Sequence, residues 1–260
     1  MELIDTHCHL VYEPLAGDVE NVMARSIEVG VTSWITVGTD PEHNKKAVDQ
    51  AHRFENMYAA IGIHPHYSED VKGESIEELK KLAGDEKVVA IGETGLDFHY
   101  NFSDVPDQRR AFEAHLHIAR ESNLPVIIHS REAFDDTMEM LDKFIKLNGN
   151  LRGVVFHCFS GSAEQARMVI DYGFFISYTG VVTFKNADSI RKAAQTVPID
   201  KMMIETDCPY MSPEPMRKQK TNEPALLIHT AKFLAELKNM ELEEFAKEVT
   251  ATSKTFFDLP

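Results

Sequence analysis

Cysteine and long apolar runs are scarce in this chain of 260 residues. Its three cysteines, Cys8, Cys158 and Cys208, are an odd number without the spacing of a disulfide framework, which predicts a reduced, cytoplasmic protein. No apolar run approaches the roughly 20 residues that cross a bilayer. The chain begins directly with a predicted strand and shows no signal-like segment, so we expect no membrane association.

Positively charged residues are also few relative to negatively charged ones. The sequence has 27 Lys and Arg against 42 Asp and Glu, a net charge of −15. This balance argues against a broad nucleic-acid-binding surface. An anionic substrate is not excluded, because bound cations can make the local charge of a site positive.

What the sequence does contain is a regular alternation of apolar strands and amphipathic helices. The predicted strands lie near residues 2–7, 31–38, 57–63, 87–92, 125–129, 153–157, 174–179 and 201–206. The predicted helices lie near residues 18–29, 74–83, 105–122, 131–147, 186–196, 223–238 and 241–255, and two more are predicted to begin at Asp40-Pro41 and after Ser160-Gly161-Ser162. This α/β pattern favours a single (β/α)8 TIM barrel over residues 1–260 with a C-terminal helical tail. A doubly wound open sheet is the alternative.

Five of these strands end in side chains that bind metals. His7 and His9 end the first strand, and the period of two in a strand directs both imidazoles to one face. Glu93, His129, His157 and Asp207 end or follow later strands. Because active sites of such barrels lie at the C-terminal ends of the strands, we expect these ligands to converge there.

Six ligands of this kind suit two divalent ions better than one. Carboxylates bridge ions and imidazoles ordinarily do not, so we expect Glu93 to bridge. His7, His9 and Asp207 would hold one ion, and His129 with His157 the other. The mixed nitrogen and oxygen donors accept Mg²⁺, Mn²⁺ or Zn²⁺. Such ions suit hydrolysis of a phosphodiester, an ester or an amide.

Three further side chains near the same strand ends are candidate substrate contacts. His64 and His66 follow the third strand, and Arg131 follows His129. Arg131 is expected at a helix start, where its guanidinium and the helix amides would hold a phosphate oxygen.

Five motifs in combination, at residues 5–9, 62–66, 91–97, 156–161 and 205–210, resemble the TatD family of metal-dependent deoxyribonucleases, within the amidohydrolase superfamily. The resemblance covers essentially the whole chain. It implies a two-metal hydrolase acting on DNA, often a 3′–5′ exonuclease on single-stranded ends. It also implies the ligands His7, His9, Glu93, His129, His157 and Asp207.

The resemblance assigns roles as well. Asp207 is similar to the aspartate after strand eight that, in this superfamily, binds a metal and accepts the proton of the attacking water. We therefore expect Asp207 and Glu93 to be the catalytic residues, and single-stranded DNA ends to be the partner. No obligatory protein partner is evident.

Two other hypotheses stay open at this point. A hydrolase of the same fold with a D-aminoacyl-tRNA ester or a cyclic amide as substrate would use the same ligands. A non-catalytic protein that keeps the metals for stability is disfavoured, because structural zinc sites are normally closed by four protein ligands. A hydrolysis panel with the metal-reconstituted protein discriminates among them.

Overall fold

The computed structural model describes residues 1–100 and 102–260. Within these residues, eight strands alternate with helices, as predicted. The strands are β1 (Leu3–Cys8), β2 (Val31–Val37), β3 (Met57–Ile61), β4 (Val88–Asp97), β5 (Val126–Arg131), β6 (Val154–Phe156), β7 (Phe175–Tyr178) and β8 (Met202–Ile204). The α-helices are α1 (Val19–Glu28), α2 (Pro41–Arg53), α3 (Gly73–Leu82), α4 (Val105–Ser122), α5 (Phe134–Asn148), α6 (Ala163–Asp171), α7 (Asp188–Thr196), α8 (Leu227–Leu237) and α9 (Leu242–Phe257).

The strands follow chain order in one eight-stranded sheet, β1 to β8. The pairs β1–β2, β3–β4, β4–β5, β5–β6 and β7–β8 are parallel. Together with the helix that follows each strand, this arrangement confirms the predicted α/β class of the (β/α)8 barrel. Among the helices of the described residues, none has both the length and the apolar character that crossing a bilayer requires.

The chain forms two compact units. The first unit combines both ends of the chain, Met1–Thr36 and Cys158–Pro260, and the second is Val37–His157. The prediction of one domain over residues 1–260 stays a prediction.

In the first unit, α9 packs against β1 and β8. The apolar side chains of these elements, such as Leu3, Met203 and Phe257, are almost completely buried. Burial of each is worth about 1.5–3 kcal/mol relative to exposure. The side-chain hydroxyl of Thr250 on α9 also donates a 2.8 Å hydrogen bond to the Glu2 carbonyl. The predicted helical tail is therefore part of this unit's core.

In the second unit, β4 is longer than predicted and continues to Asp97 instead of ending at residue 92. Gly95 explains the difference. It pairs with His129 on β5 at a φ of +144°, and a Cβ atom there would lie 2.0 Å from the His129 carbonyl oxygen. Only glycine permits this close approach of the two backbones. The prediction that this strand ends at residue 92 was therefore wrong.

Candidate metal centres

The first unit contains a compact group of three metal-type donors, His7, His9 and Asp207. The Nε2 atoms of the two imidazoles lie 3.3 Å apart. Oδ1 of Asp207 lies 3.3 Å from Nε2 of His9 and 3.8 Å from Nε2 of His7. All three side chains are buried. The strand period predicted that the two histidines share a face, and the structure places them together.

Main-chain hydrogen bonds bring these three residues to one place. The amide of Asp207 donates to the His7 carbonyl at 2.9 Å, and the amide of His9 donates to the Cys208 carbonyl at 2.9 Å. Asp207 has a φ of +53°, the left-handed region that an ordinary residue occupies at a cost. Such conformations persist where surrounding contacts impose them, and they concentrate at functional sites.

The spacing of the donors fits a metal ion. An ion bound about 2.1 Å from each of three ligands in tetrahedral geometry separates the ligand atoms by roughly 3.4 Å. Two separations of 3.3 Å match that value, and the third, 3.8 Å, is longer. Two imidazoles and one carboxylate are also a donor set that divalent transition metals accept. The group can hold one ion and leave coordination positions open.

Two buried acids, Asp5 and Glu205, lie two residues before His7 and Asp207 in the chain. Asp5 accepts hydrogen bonds from the amide and hydroxyl of Thr206 at 2.9 and 2.6 Å. Glu205 accepts from the Cys158 amide at 2.7 Å and the Ser177 hydroxyl at 2.6 Å. Burial is the main cause that raises the pKa of Asp5 to about 7, and the charge of Glu205 adds to it although the Thr206 bonds oppose it. The acids thus tie β1 and β7 to the segment that carries Asp207.

The second unit contains another donor group, His64, Glu93 and His129. Oε1 of Glu93 lies 2.7 Å from Nδ1 of His129 and 3.4 Å from Nε2 of His64. His157 joins the group, with its Nε2 atom 2.7 Å from the same carboxylate oxygen. One carboxylate surrounded by three imidazoles is again a donor set for a divalent ion.

The charge balance of this second group keeps Glu93 and His64 in the forms that bind metals. Burial alone would lower the pKa of His129, but its hydrogen bonds with Asp97 and Glu93 raise that pKa above its usual value. Burial alone would raise the pKa of Glu93, but His157, His64 and His129 outweigh it and hold that pKa well below its usual range. Burial lowers the pKa of His64 to about 4, so this imidazole is neutral at pH 7. A carboxylate and a neutral imidazole are the forms that bind metals.

Asp97 contacts the second donor group, although the sequence did not single it out as a candidate site residue. Its Oδ2 atom lies 3.1 Å from Nε2 of His129 and 2.9 Å from Nε2 of His66. A carboxylate behind a ligand histidine orients the ring and raises its basicity. Glu93 and Asp97 lie four residues apart and share a face only because β4 continues to Asp97, so a strand predicted to end at residue 92 hid this relation.

The candidate substrate contacts lie around this second group. His66 contacts the Asp97 carboxylate, as described above, and His64 lies among the metal donors. Arg131 is the last residue of β5, and α5 begins only at Phe134. The prediction that Arg131 lies at a helix start was therefore wrong, because the strand continues for two residues beyond His129.

Comparisons with known proteins identify the family to which this chain belongs. The model of TatD-related DNases matches residues 4–258. The chain belongs to the TatD family. It is 39% identical to the uncharacterized metal-dependent hydrolase YabD of Bacillus subtilis over 98% of both chains. It is 33% identical to the 3′-5′ ssDNA/RNA exonuclease TatD of Salmonella typhimurium over 99% of both.

A solved TatD homologue shows the same fold. The crystal structure of YjjV from Escherichia coli superposes with a TM-score of 0.91 at 31% identity, covering 99% of this chain and 98% of that one. This TatD-family chain is therefore a metal-dependent hydrolase, and its histidine and carboxylate groups are where metal ions could bind.

Proposed function

We propose that the chain is a 3′–5′ exodeoxyribonuclease on single-stranded DNA that uses two divalent ions, Mg²⁺, Mn²⁺ or Zn²⁺. The observation that carries the proposal is the pair of donor groups described above, each with imidazoles around one carboxylate. The exonuclease name of the Salmonella relative supports the substrate and the polarity. The cytoplasmic location predicted from the cysteines belongs to the same proposal.

We assign ion binding to both donor groups and proton transfer to Asp207. Divalent ions, when bound, lower the pKa of water toward neutrality and stabilise charge on a phosphoryl group. His7, His9 and Asp207 would hold one ion, and Glu93 with its three imidazoles the other. Asp207 accepts the proton of the attacking water at its carboxylate. General-base assistance of this kind contributes about 10²- to 10⁴-fold to a rate.

The remaining candidate residues position the substrate. His66 and Arg131 bind the nucleic acid beside the second group. His64 contacts the substrate or holds the ion, since its Nε2 atom lies 3.4 Å from Glu93. Bound divalent ions offset the negative charge of the chain locally, so an anionic polymer can approach.

The test uses a 5′-labelled single-stranded oligonucleotide with a free or a blocked 3′ end, in the presence of Mg²⁺, Mn²⁺ or Zn²⁺. Stepwise shortening only from the free end is the expected result. The proposed nuclease activity would be contradicted if no DNA or RNA were cleaved. Release of the amino acid from a D-aminoacyl-tRNA, or opening of a cyclic amide, would then support a hydrolase of the same fold with that substrate.

A further inference from the structure

We propose that Tyr100 and Phe102 form a stacking platform for a base of the single-stranded substrate; this inference rests on the proposed function. The two rings lie parallel, with an interplanar angle of 6° and centroids 5.4 Å apart. Both are open to solvent, Tyr100 to 47% and Phe102 to 65%. A soluble protein normally buries such rings, and a concentrated exposed pair marks a binding surface.

The platform adjoins the second donor group through a single side chain. The ring of His66 meets Tyr100 and Phe102 edge-on, at centroid distances of 5.4 and 4.8 Å. The same imidazole contacts Asp97 at 2.9 Å, and its centroid lies 6.3 Å from that of His129. A base stacked on these rings would therefore place its flanking phosphates near the second donor group, which contains His129.

A cation completes the surface. The guanidinium carbon of Arg131 lies 4.7 Å from the Tyr100 ring centroid. The Phe98 amide donates a 3.0 Å hydrogen bond to the Arg131 carbonyl, which fixes this residue beside the segment that leads to the platform. A guanidinium over the Tyr100 ring and the exposed ring of Phe102 beside it match the alternation of phosphates and bases in a single strand. Paired bases would have to leave the duplex stack before they could reach the rings.

A second aromatic pair in the chain shows what distinguishes this one. Tyr172 is exposed to a similar extent, 46%, but its neighbour Phe174 is buried and the two rings are tilted by 33°. Because one ring of that pair is buried and the rings are tilted, the pair offers a base no surface of two exposed parallel rings. Tyr172 therefore supplies a matched control, an exposed tyrosine whose removal costs similar surface without touching the platform.

The experiment measures binding of phosphorothioate decanucleotides, which resist hydrolysis, by fluorescence anisotropy on the metal-loaded protein. One set carries all bases, and another carries a single abasic site at each of the last positions before the 3′ end. In the unsubstituted protein, an abasic site at one or two adjacent positions is expected to raise Kd about 5- to 150-fold, the range for one stacked base. Cleavage of the ordinary oligonucleotide is measured in parallel.

The double variant Tyr100→Leu/Phe102→Leu is expected to bind normal and abasic strands with nearly equal Kd. The conservative Tyr100→Phe/Phe102→Tyr and the control Tyr172→Leu should keep the full abasic penalty. The stacking proposal is overturned if the abasic increase in Kd persists in the leucine variant or is absent from the unsubstituted protein. This holds even if DNA is cleaved. A penalty that disappears only in the leucine variant, without cleavage of any strand, supports the platform and overturns the nuclease.

Discussion

Oδ2 of Asp97 lies 3.1 Å from Nε2 of His129, on the side of the ring opposite the donor group. The Nδ1 atom of the same ring faces Glu93 at 2.7 Å. The proton of a neutral His129 therefore belongs on Nε2, toward Asp97, and the lone pair on Nδ1 points to the place of a metal ion. The amides of His99 and Tyr100, each 3.0 Å from Oδ1, hold the carboxylate in place.

Asp97→Asn should weaken metal binding by the second donor group about 10- to 100-fold, because a ligand histidine then lacks its charged acceptor. Burial alone would raise the pKa of Asp97, but hydrogen bonds from His129 and His66 hold it well below its usual range, so the charge is present at any working pH. Calorimetric metal titration measures the change. Glu132→Gln is the control, an exposed carboxylate nearby that pairs with His99. Unchanged affinity in Asp97→Asn would exclude the orienting role.

Asp207→Asn should lower kcat by at least about 100-fold on every substrate, because the proton acceptor of the common step is lost. Asparagine tolerates the left-handed backbone found at this position, so the fold should survive. Steady-state kinetics with a melting curve for the variant check both points. Retained turnover would show that a group other than Asp207 accepts the proton of the attacking water.

Whether Glu93 bridges two ions stays a prediction, which metal content can decide. Glu93→Gln is expected to lower occupancy of both ions if the carboxylate is shared, whereas His157→Ala should empty one. Mass spectrometry under native conditions counts the ions in each variant. Loss of a single ion in both variants would contradict the bridge.

Arg131→Gln should raise KM for oligonucleotides and make it less sensitive to salt. One phosphate contact on a single strand contributes about 0.7 to the slope of log KM against log salt concentration, so the slope should fall by about that amount. Arg110→Gln is the matched control, because Arg110 is exposed and pairs with Asp107 on α4. Equal slopes in the unsubstituted protein and both variants would show that Arg131 does not contact a phosphate of the substrate.

His115 makes folding stability depend on pH. It is fully buried, accepts a hydrogen bond from the Ile63 amide at 2.9 Å and donates to the Ala111 carbonyl at 2.7 Å. Burial lowers its pKa from 6.5 to about 4 despite the Ala111 bond. The unfolded chain therefore binds more protons between pH 6.5 and 4, and stability falls as the pH falls through that window.

Urea unfolding of the metal-free protein at pH 7 and pH 5 tests this contribution. His115→Gln keeps an acceptor for the Ile63 amide but does not titrate. The loss of stability between the two pH values should be about 2 kcal/mol smaller in the variant than in the unsubstituted protein. Equal losses would mean that His115 is hydrated or charged in the folded state.

The sequence predicted the strand and helix order because the local periodicities agree with the final contacts. The same alternation placed His7 and His9 on one face, which the structure bears out. Strand ends were harder to predict. The continuation of β4 depends on the glycine contact between Gly95 and His129, which only the paired strand reveals. Asp97 and the position of Arg131 were missed for that same reason.

The exposed aromatic pair could not be foreseen either. Tyr100 and Phe102 lie between β4 and α4, where no periodicity says which side chains are buried. A single sequence carries no signal for two rings stacked in solvent. Their arrangement depends on His66, which reaches them from the segment after β3.

The first unit draws on both ends of the polypeptide, and this has a consequence for synthesis on the ribosome. The donors of the second group are complete once His157 has been added, whereas Asp207 is added 50 residues later (207 minus 157). At roughly 5–20 residues per second, this interval lasts about 3–10 s. A nascent chain that stops within it carries one donor group without the proton acceptor. If Asp207 accepts the proton as proposed, we expect hydrolysis only from chains translated beyond residue 207 and no activity from shorter nascent chains.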